Sequence, residues 1–330
     1  MSISFSDTGA HVLKTLADGA WHHGSDMAEH LSISRTAIWK QVNALKELGY
    51  VIESVRSKGY QLKKPSSALI KASIESALVQ LMQTNHLSLD VYPQLASTND
   101  YLKEVSLAPL QCHVCLAEQQ LKGRGRFSRH WHSPFGENLY LSMKTQLTIP
   151  FANMSGFSLC ISLALINGLV AYGLNSGLFQ IKWPNDLLIN GEKLAGILIE
   201  LSGEAGSGAQ AIIGIGLNVA MQEADIDKQW TSLSKHYDEP IDRNRLAAHI
   251  IHALSQTIAQ FETLGFASFQ TAWQRYDALK NTDVALSFYD KTISGICQGI
   301  DEEGNIRIKH NDATVKSYSA GEVSFQLGES

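Results

Sequence analysis

Apolar residues recur three and four positions apart through the first fifty residues, then switch to strict alternation. "TGAHVLKTLADG" has the helical spacing and ends at Gly19. "GSDMAEHL" predicts a second short helix with Ser25 as its N-cap. After the turn "SIS", "RTAIWKQVNALKELG" predicts a third helix, with Ile38, Val42, Leu45 and Leu48 on one face and Gly49 as its stop. "YVIESVRSKGYQL" alternates around Ser-Lys-Gly, the pattern of a β-hairpin. "KKPSSA" (Lys63 to Ala68) reads as a linker. Helix, helix, turn, helix and hairpin together predict a winged helix-turn-helix over residues 1–65.

Beyond the linker, "ALIKASIESALVQLM" is an amphipathic helix. From Leu89 strand and helix patterns alternate: "LDVYPQL", "STNDYLKEV", "HVCLAEQQ", then the strand "ENLYLSMKTQL". "FSLCISLALINGLVAYGL" is the most apolar stretch, but serines, an asparagine and glycines break it. It falls short of the roughly 20 apolar residues of a bilayer span, so it reads as a buried core helix. "FQIKWPNDLLING" and "EKLAGILIELSG" pair as strands, and "AQAIIGIGLNVAM" adds another. Helices continue to about Tyr276, which gives a central mixed α/β domain over 66–276. Short β-runs follow, with "DEEGN" as a hairpin turn, and predict a small separate β-barrel-like domain over 277–330. The expected fold class is therefore α+β multidomain.

Composition narrows this picture. The chain has 330 residues, 44% hydrophobic and 18% charged, with net charge −5, so it is no generic polyanion binder. Residues 1–65 carry eight Lys/Arg and six Asp/Glu, or 8 − 6 = +2, leaving −5 − 2 = −7 for the rest. A mildly basic N-terminal module on an acidic body fits nucleic-acid binding. The third helix is expected to expose Ser34, Arg35, Thr36, Lys40 and Gln41 to base edges and phosphates, with Arg56 and Lys58 on the wing. A module used only for protein contacts is the alternative. One module reads a short half-site, so specificity implies a dimer on a two-fold operator. The four cysteines, with no charged-then-apolar leader, suggest a reducing cytoplasm. Cys112 and Cys115 form a lone C-x-x-C without a second ligand pair and read as part of a buried strand.

Four polar clusters mark the central domain. In "STND", Ser97 can cap a helix whose free N–H groups suit a carbonyl or anionic ligand. "LKGRGRFSRHW" combines Gly123 and Gly125, which allow unusual backbone and close approach, with Arg124, Arg126 and Arg129 and the stacking surface of Trp131. It is neither a Walker A loop nor a G-x-G-x-x-G turn. On spacing alone, a nucleotide loop and a solvated basic loop are equal. "KWPNDLLINGEKLAGILIE" gathers Lys182, Asn185 and Asp186 around Trp-Pro, with Lys193 and Gly196 beyond; Asp186 suits Mg²⁺. "GIGLN" places two glycines in a strand ahead of Asn218.

In this order, "STN", "GRGRxxRxW", "KWPND", "KLAG" and "GxGxN" resemble the biotin protein ligase family over essentially the whole chain, in its bifunctional form that is also a biotin-operon repressor. The resemblance implies a biotin/lipoate-ligase-like catalytic domain and a C-terminal SH3-like β-barrel. It implies ATP-dependent formation of biotinyl-5′-AMP, transfer of biotin to a lysine of a carboxylase's biotin carboxyl carrier domain, and adenylate-promoted dimerisation on operator DNA. Carried over by motif, Ser97, Thr98, Asn99 and Gln120 hold biotin. Arg124, Gly125 and Arg126 cover the adenylate, with Arg129 and Trp131 at the adenine. Asn185, Asp186 and Asn218 serve the nucleotide and Mg²⁺. Lys193 stands at the reacting carboxylate, Gly196 leaves it room, and Lys182 neutralises phosphate. The loop departs from the family's G-R-G-R-x-G-R-x-W at Ser128, and His130 stands in a segment where the family often has Lys or another residue. If position 128 needs positive φ, serine there costs energy. A non-enzymatic ligand-sensing repressor and a lipoate–protein ligase are the competing readings.

Overall fold

A computed structural model describes residues 6–63, 68–108, 111–203, 208–226, 229–288 and 291–325. The expected linker falls largely on residues 64–67, and the 65/66 domain boundary with it, outside the described residues. Along the chain run α1 (Asp7–Leu16), α2 (Gly24–His30), α3 (Arg35–Glu47), β1 (Ile52–Val55), β2 (Gly59–Leu62) and α4 (Lys71–Leu81). Next come β3 (Leu87–Tyr92), α5 (Thr98–Lys103), β4 (Cys112–Ala117), β5 (Leu139–Pro150) and α6 (Phe157–Tyr172). They are followed by β6 (Phe179–Lys182), β7 (Asp186–Ile189), β8 (Glu192–Ser202), β9 (Gly208–Leu217), α7 (Arg243–Leu264) and α8 (Ala267–Gln274). The last five strands are β10 (Asp283–Phe288), β11 (Lys291–Ile300), β12 (Ile306–Lys309), β13 (Val315–Tyr318) and β14 (Glu322–Phe325). No helix among the described residues is long and apolar enough to cross a membrane.

The chain divides into two compact units. The first comprises residues 1–144, 214–225 and 232–248. Its winged helix packs Val12, Leu13, Leu16, Met27, Ile38, Val42 and Leu45 into one core, the faces set by helical spacing. Ser6 caps α1 and Ser34 caps α3 through their hydroxyls. Ser25 is not the cap of α2: the helix already begins at Gly24, two residues before a Ser25 cap would start it, and His23 occupies the cap position without a side-chain bond. His22 bridges Tyr60, adding a third short edge to the β1–β2 wing. In the same unit β3 and β4 pair in parallel from Leu87↔Cys112 to Tyr92↔Ala117, with β5 and then the end of β9 beyond.

The second unit comprises residues 145–213, 226–231 and 249–330. It carries the remainder of β5 and β9, followed by β8, β7 and β6. As expected from its composition, α6 is a buried core helix; Gly168 lets α7 approach so closely that a Cβ there would lie 2.8 Å from Ile250 Cα. The C-terminal strands form an antiparallel sheet in the order β13-β12-β11-β10-β14. They fall within this second unit, where Ile181 exchanges backbone bonds with Tyr276 and Ala278 just before them. The indole Nε1 of Trp183 donates to Gly304 O in the β11–β12 turn at 3.0 Å. All four cysteines are free and buried, Cys112 and Cys115 on β4.

Candidate functional site

In the first unit, the start of α5 is the best-formed polar cluster. Ser97 caps α5, its Oγ accepting from Asp100 N–H at 3.4 Å, as its position before "TND" predicts. Thr98 donates to Gln120 Oε1 twice, from N–H at 2.9 Å and from its hydroxyl at 3.1 Å. Ser142 Oγ lies 2.6 Å from both Thr98 Oγ1 and Asn99 Oδ1. Ser97, Thr98, Asn99 and Ser142 are all buried. Buried polar groups satisfied in this way hold one geometry, because leaving any of them unpaired costs about 1–3 kcal/mol. Ser142 carried no motif; only its place opposite α5 reveals it.

The loop of residues 121–131 lies beside this cluster. Trp131 N–H donates to Gly123 O at 2.9 Å and Gly125 N–H to Arg129 O at 2.8 Å, while Arg124 and His130 form an isolated bridge. Arg124 pairs with Asp100, which also receives Lys103 Nζ at 3.1 Å, so the loop is tied to α5. The Arg126 guanidinium lies 5.1 Å from the centre of the Phe127 ring.

The loop's glycines act differently from expectation. A Cβ at Gly123 would fall 2.7 Å from Trp131 O, so this glycine serves close packing. Gly125 has φ −107°, open to any residue. The left-handed positions are instead Phe127 (φ 55°) and Ser128 (φ 56°). Position 128 therefore does hold positive φ here, with serine in place of glycine.

The glycines of "GIGLN" make room for these same side chains. A Cβ on Gly214 would sit 2.3 Å from Asn99 Oδ1, and one on Gly216 would sit 2.3 Å from the Trp131 indole. Asn218 follows at the strand's end, buried, its carbonyl accepting from Leu233 N–H at 3.1 Å.

In the second unit, the β6–β7–β8 hairpins position the basic and acidic groups. Lys182 pairs with Asp186 across the Trp183–Pro184 turn, whose peptide is cis; Ser158 donates to Pro184 O at 3.1 Å. Asn185 Nδ2 donates to Ile197 O at 2.7 Å. Strand β8 bulges: Asp186 faces Gly196 and Leu187 faces Ala195, but Leu188 faces Lys193, so Leu194 is the extra residue. In regular register Lys193 would oppose Ile189 and point away from Asp186. The inserted residue turns it onto the face of Asp186. Its Nζ then lies 2.6 Å from Asp186 Oδ1, with the two side chains 30% and 21% exposed. Residues 229–231 brace Lys193, whose N–H donates to Gln229 O and whose C=O accepts from Thr231 N–H. Lys182 Nζ lies 5.9 Å from the Phe325 ring centre. Gly196 stands directly across from Asp186.

In the winged helix, Arg35, Thr36, Lys40, Arg56 and Lys58 are exposed, as expected. Gln41 instead turns toward α1, its Oε1 accepting from Ser6 Oγ at 2.8 Å, and is half-buried. Ser34's hydroxyl is engaged by Ala37 N–H at 3.1 Å.

A further buried group had no motif. Glu118, fully buried at the end of β4, accepts from Leu69 N–H at 2.6 Å, Arg243 Nη2 at 2.6 Å and Tyr50 Oη at 3.3 Å. Arg243 also donates to Asn138 O at 2.6 Å, and Asn138 Oδ1 accepts from Val219 N–H at 2.9 Å. Burial and the neighbouring carboxylate push the Tyr50 phenol well above its ordinary range, so it stays a proton donor.

Comparison with known proteins identifies the relatives of this chain. Residues 91–218 match the Biotin/lipoate A/B protein ligase family, 10–61 an HTH domain, and 284–326 the Biotin protein ligase C terminal domain. The chain is 37% identical over 321 residues to the bifunctional ligase/repressor BirA of Escherichia coli, covering 96% of this chain and 97% of that protein. It is 34% identical over 304 residues to the protein of the same description from Bacillus subtilis, covering 90% and 92%. Among solved structures it resembles the Aquifex aeolicus biotin protein ligase in complex with biotin and ATP, with TM-score 0.62, 26% identity, and coverage of 72% of this chain and 98% of that one.

Proposed function

The chain belongs to the family of bifunctional biotin protein ligases and repressors, and from that premise we propose how its own residues divide the work. The reaction is ATP-dependent biotinylation. The biotin carboxylate attacks the α-phosphate of ATP, pyrophosphate leaves, and biotinyl-5′-AMP remains. A lysine amine of a biotin carboxyl carrier protein then attacks the acyl carbon, forming an amide and releasing AMP. Neither step needs a side-chain nucleophile. Both need placement, and both need fixed positive charge where anionic oxygens crowd.

Ser97, Thr98, Asn99 and Gln120 hold biotin, since this cluster is buried, polar and already ordered by Ser142. Arg124, Gly125, Arg126, Arg129 and Trp131 cover the adenylate and shield its labile anhydride from water. Asn185 and Asn218 meet the nucleotide, and Lys182 offsets phosphate charge. Lys193, with Gly196 close by, meets the reacting carboxylate and phosphate. The observation that supports the assignment of Lys193 is the bulge that turns it onto the face of Asp186, which sets a fixed cation where anionic oxygens would crowd.

No grouping of three or more His, Cys, Asp or Glu side chains that could hold a metal occurs among the described residues. A lone Asp186 carboxylate fits a Mg²⁺ ion that arrives on the nucleotide and takes most of its ligands from phosphate oxygens and water. Such an ion would neutralise phosphate charge.

Exposed Arg35, Thr36 and Lys40, with Arg56 and Lys58 on the wing, favour DNA over a purely protein-binding role for the module. Adenylate binding orders the covering loop and promotes a homodimer that spans operator half-sites. The domains follow residues 1–65, 66–276 and 277–330.

Biotin-dependent ATP–pyrophosphate exchange tests the whole scheme. Robust exchange with biotin and none with lipoate is expected; Lys193→Ala should lower it at least a hundredfold. Absence of exchange would leave the sensor reading, and exchange with lipoate would reassign the substrate.

A further inference from the structure

Trp39 lies on α3, the helix that the module presents to DNA, and 55% of it is exposed. The core face of α3 is Ile38, Val42 and Leu45, each at most 2% exposed. Trp39 is outside that stripe. At helical spacing its neighbours on the helix surface are Arg35 and Thr36 one turn before and Asn43 one turn after. Lys40 is adjacent in sequence, and Arg35, Thr36 and Lys40 are all exposed. The module's other tryptophan, Trp21, is treated differently: Lys58 and Lys63 place their ammonium groups 5.5 and 5.7 Å from its ring centre.

An exposed indole on a short helix adds nothing to the core and leaves a large apolar surface in water. Here cations suited to phosphates flank it. Gln41, the amide expected to read bases, is bonded to Ser6 and turned toward α1. In the major groove, the apolar feature on a base edge is the thymine C5 methyl. A flat apolar side chain between phosphate-binding cations matches that feature.

We propose that Trp39 is a specificity residue of the DNA interface, whose indole packs against a thymine methyl in each operator half-site. This rests on the DNA-binding reading above. Arg35, Thr36 and Lys40 fix the helix in the groove, and Trp39 supplies a sequence preference that hydrogen bonding does not.

The test uses the full-length protein with biotin and ATP. Duplexes are selected from a random pool, and the winning half-site is resynthesised with each thymine replaced in turn by uracil, which lacks only the methyl. The wild type should lose roughly tenfold in affinity at one thymine per half-site, in line with a single base contact. Trp39→Ala should bind the parent site about tenfold more weakly and show no further loss at that uracil. Trp39→Phe should keep part of the preference. Circular dichroism and melting temperature identical to wild type confirm that the variants are folded. If Trp39→Ala selects the same sequence and keeps the same uracil sensitivity, the proposal is wrong while DNA binding stands. If the lost preference is for a base other than thymine, the methyl contact is wrong. If the wild type enriches no sequence, the DNA-binding reading falls and this assignment falls with it.

Discussion

Ser128→Gly isolates the cost of placing a side chain at a left-handed position in the loop of residues 121–131. Serine holds φ 56° there, directly after Phe127 at φ 55°. The left-handed region costs an L-residue about 1–2 kcal/mol. Glycine removes that steric cost but loses about 0.5–1 kcal/mol more conformational entropy on ordering. Taken at the middle of both ranges the net gain is about 0.75 kcal/mol, within roughly a two- to fivefold shift toward the ordered loop at 1.4 kcal/mol per decade. The loop carries its own reporter, since Lys122, Arg124, Arg126 and Arg129 are all trypsin sites. When opening is fast relative to cleavage, the cleavage rate follows the open population. Limited trypsin digestion of Ser128→Gly should therefore slow about two- to fivefold at Arg126 and Arg129. Ser128→Ala, which keeps the β-carbon, should be cut as fast as the parent. If biotinyl-adenylate sits beneath this loop, its dissociation should slow by a similar factor. Equal cleavage of the glycine and alanine variants would refute the strain argument.

Other expectations follow from close contacts and burial. Arg243→Met strands the fully buried Glu118 carboxylate and should cost about 3–5 kcal/mol in urea unfolding; a loss below about 1 kcal/mol would mean that water reaches Glu118. Gly216→Ala would put a methyl 2.3 Å from the Trp131 ring and force it aside, costing about 1–3 kcal/mol and raising the KM for ATP more than that for biotin. A change in the biotin KM alone would place Trp131 on the wrong ligand. Burial pushes the Cys112 thiol up to about 11 and raises Cys115 and Cys160 as well. The native protein should therefore resist iodoacetamide at pH 8 and react fully in denaturant, whereas rapid native labelling of Cys112 would contradict its burial.

Local rules made much of the fold legible. Helical spacing identified the core faces of α1 and α3, and alternation identified the wing. The character of α6 and β4 followed from composition. Ser97 capped its helix as its position implied. What stayed hidden depends on how segments pair with one another rather than on the pattern within any one of them. "EKLAGILIE" shows no trace of a bulge, because the extra residue exists only relative to the register with β7. Yet that residue decides which side of the sheet Lys193 faces. Glu118 reads as one polar residue at the end of a strand; its importance comes from Tyr50, Leu69 and Arg243, up to 125 positions away. The loop misled in a different way. Its glycines suggested where the backbone would be unusual, but Gly123 serves packing, and the unusual angles fell on Phe127 and Ser128.

The "GIGLN" segment shows how a pattern can be read correctly and its beneficiary missed. Alternate residues of a strand share a face, so Gly214 and Gly216 leave two adjacent gaps on one side of β9, and Asn218 continues the same side. Glycines in a strand signal close approach by another group, without saying which. The side chains that fill the gaps are the protein's own, Asn99 from the start of α5 and Trp131 from the end of the 121–131 loop. One strand face thus registers both elements against itself, and Arg124 with Asp100 ties them to each other. A group held between α5 and the loop would meet walls aligned by a common reference. An added methyl on this face should disturb whichever neighbour it strikes, Asn99 at position 214 or Trp131 at position 216. Comparing Gly214→Ala with Gly216→Ala therefore separates the two halves of the site: the first should weaken biotin affinity preferentially, the second ATP affinity. Equal losses of both ligands in both variants would mean that the strand supports the fold without assigning the two walls separately.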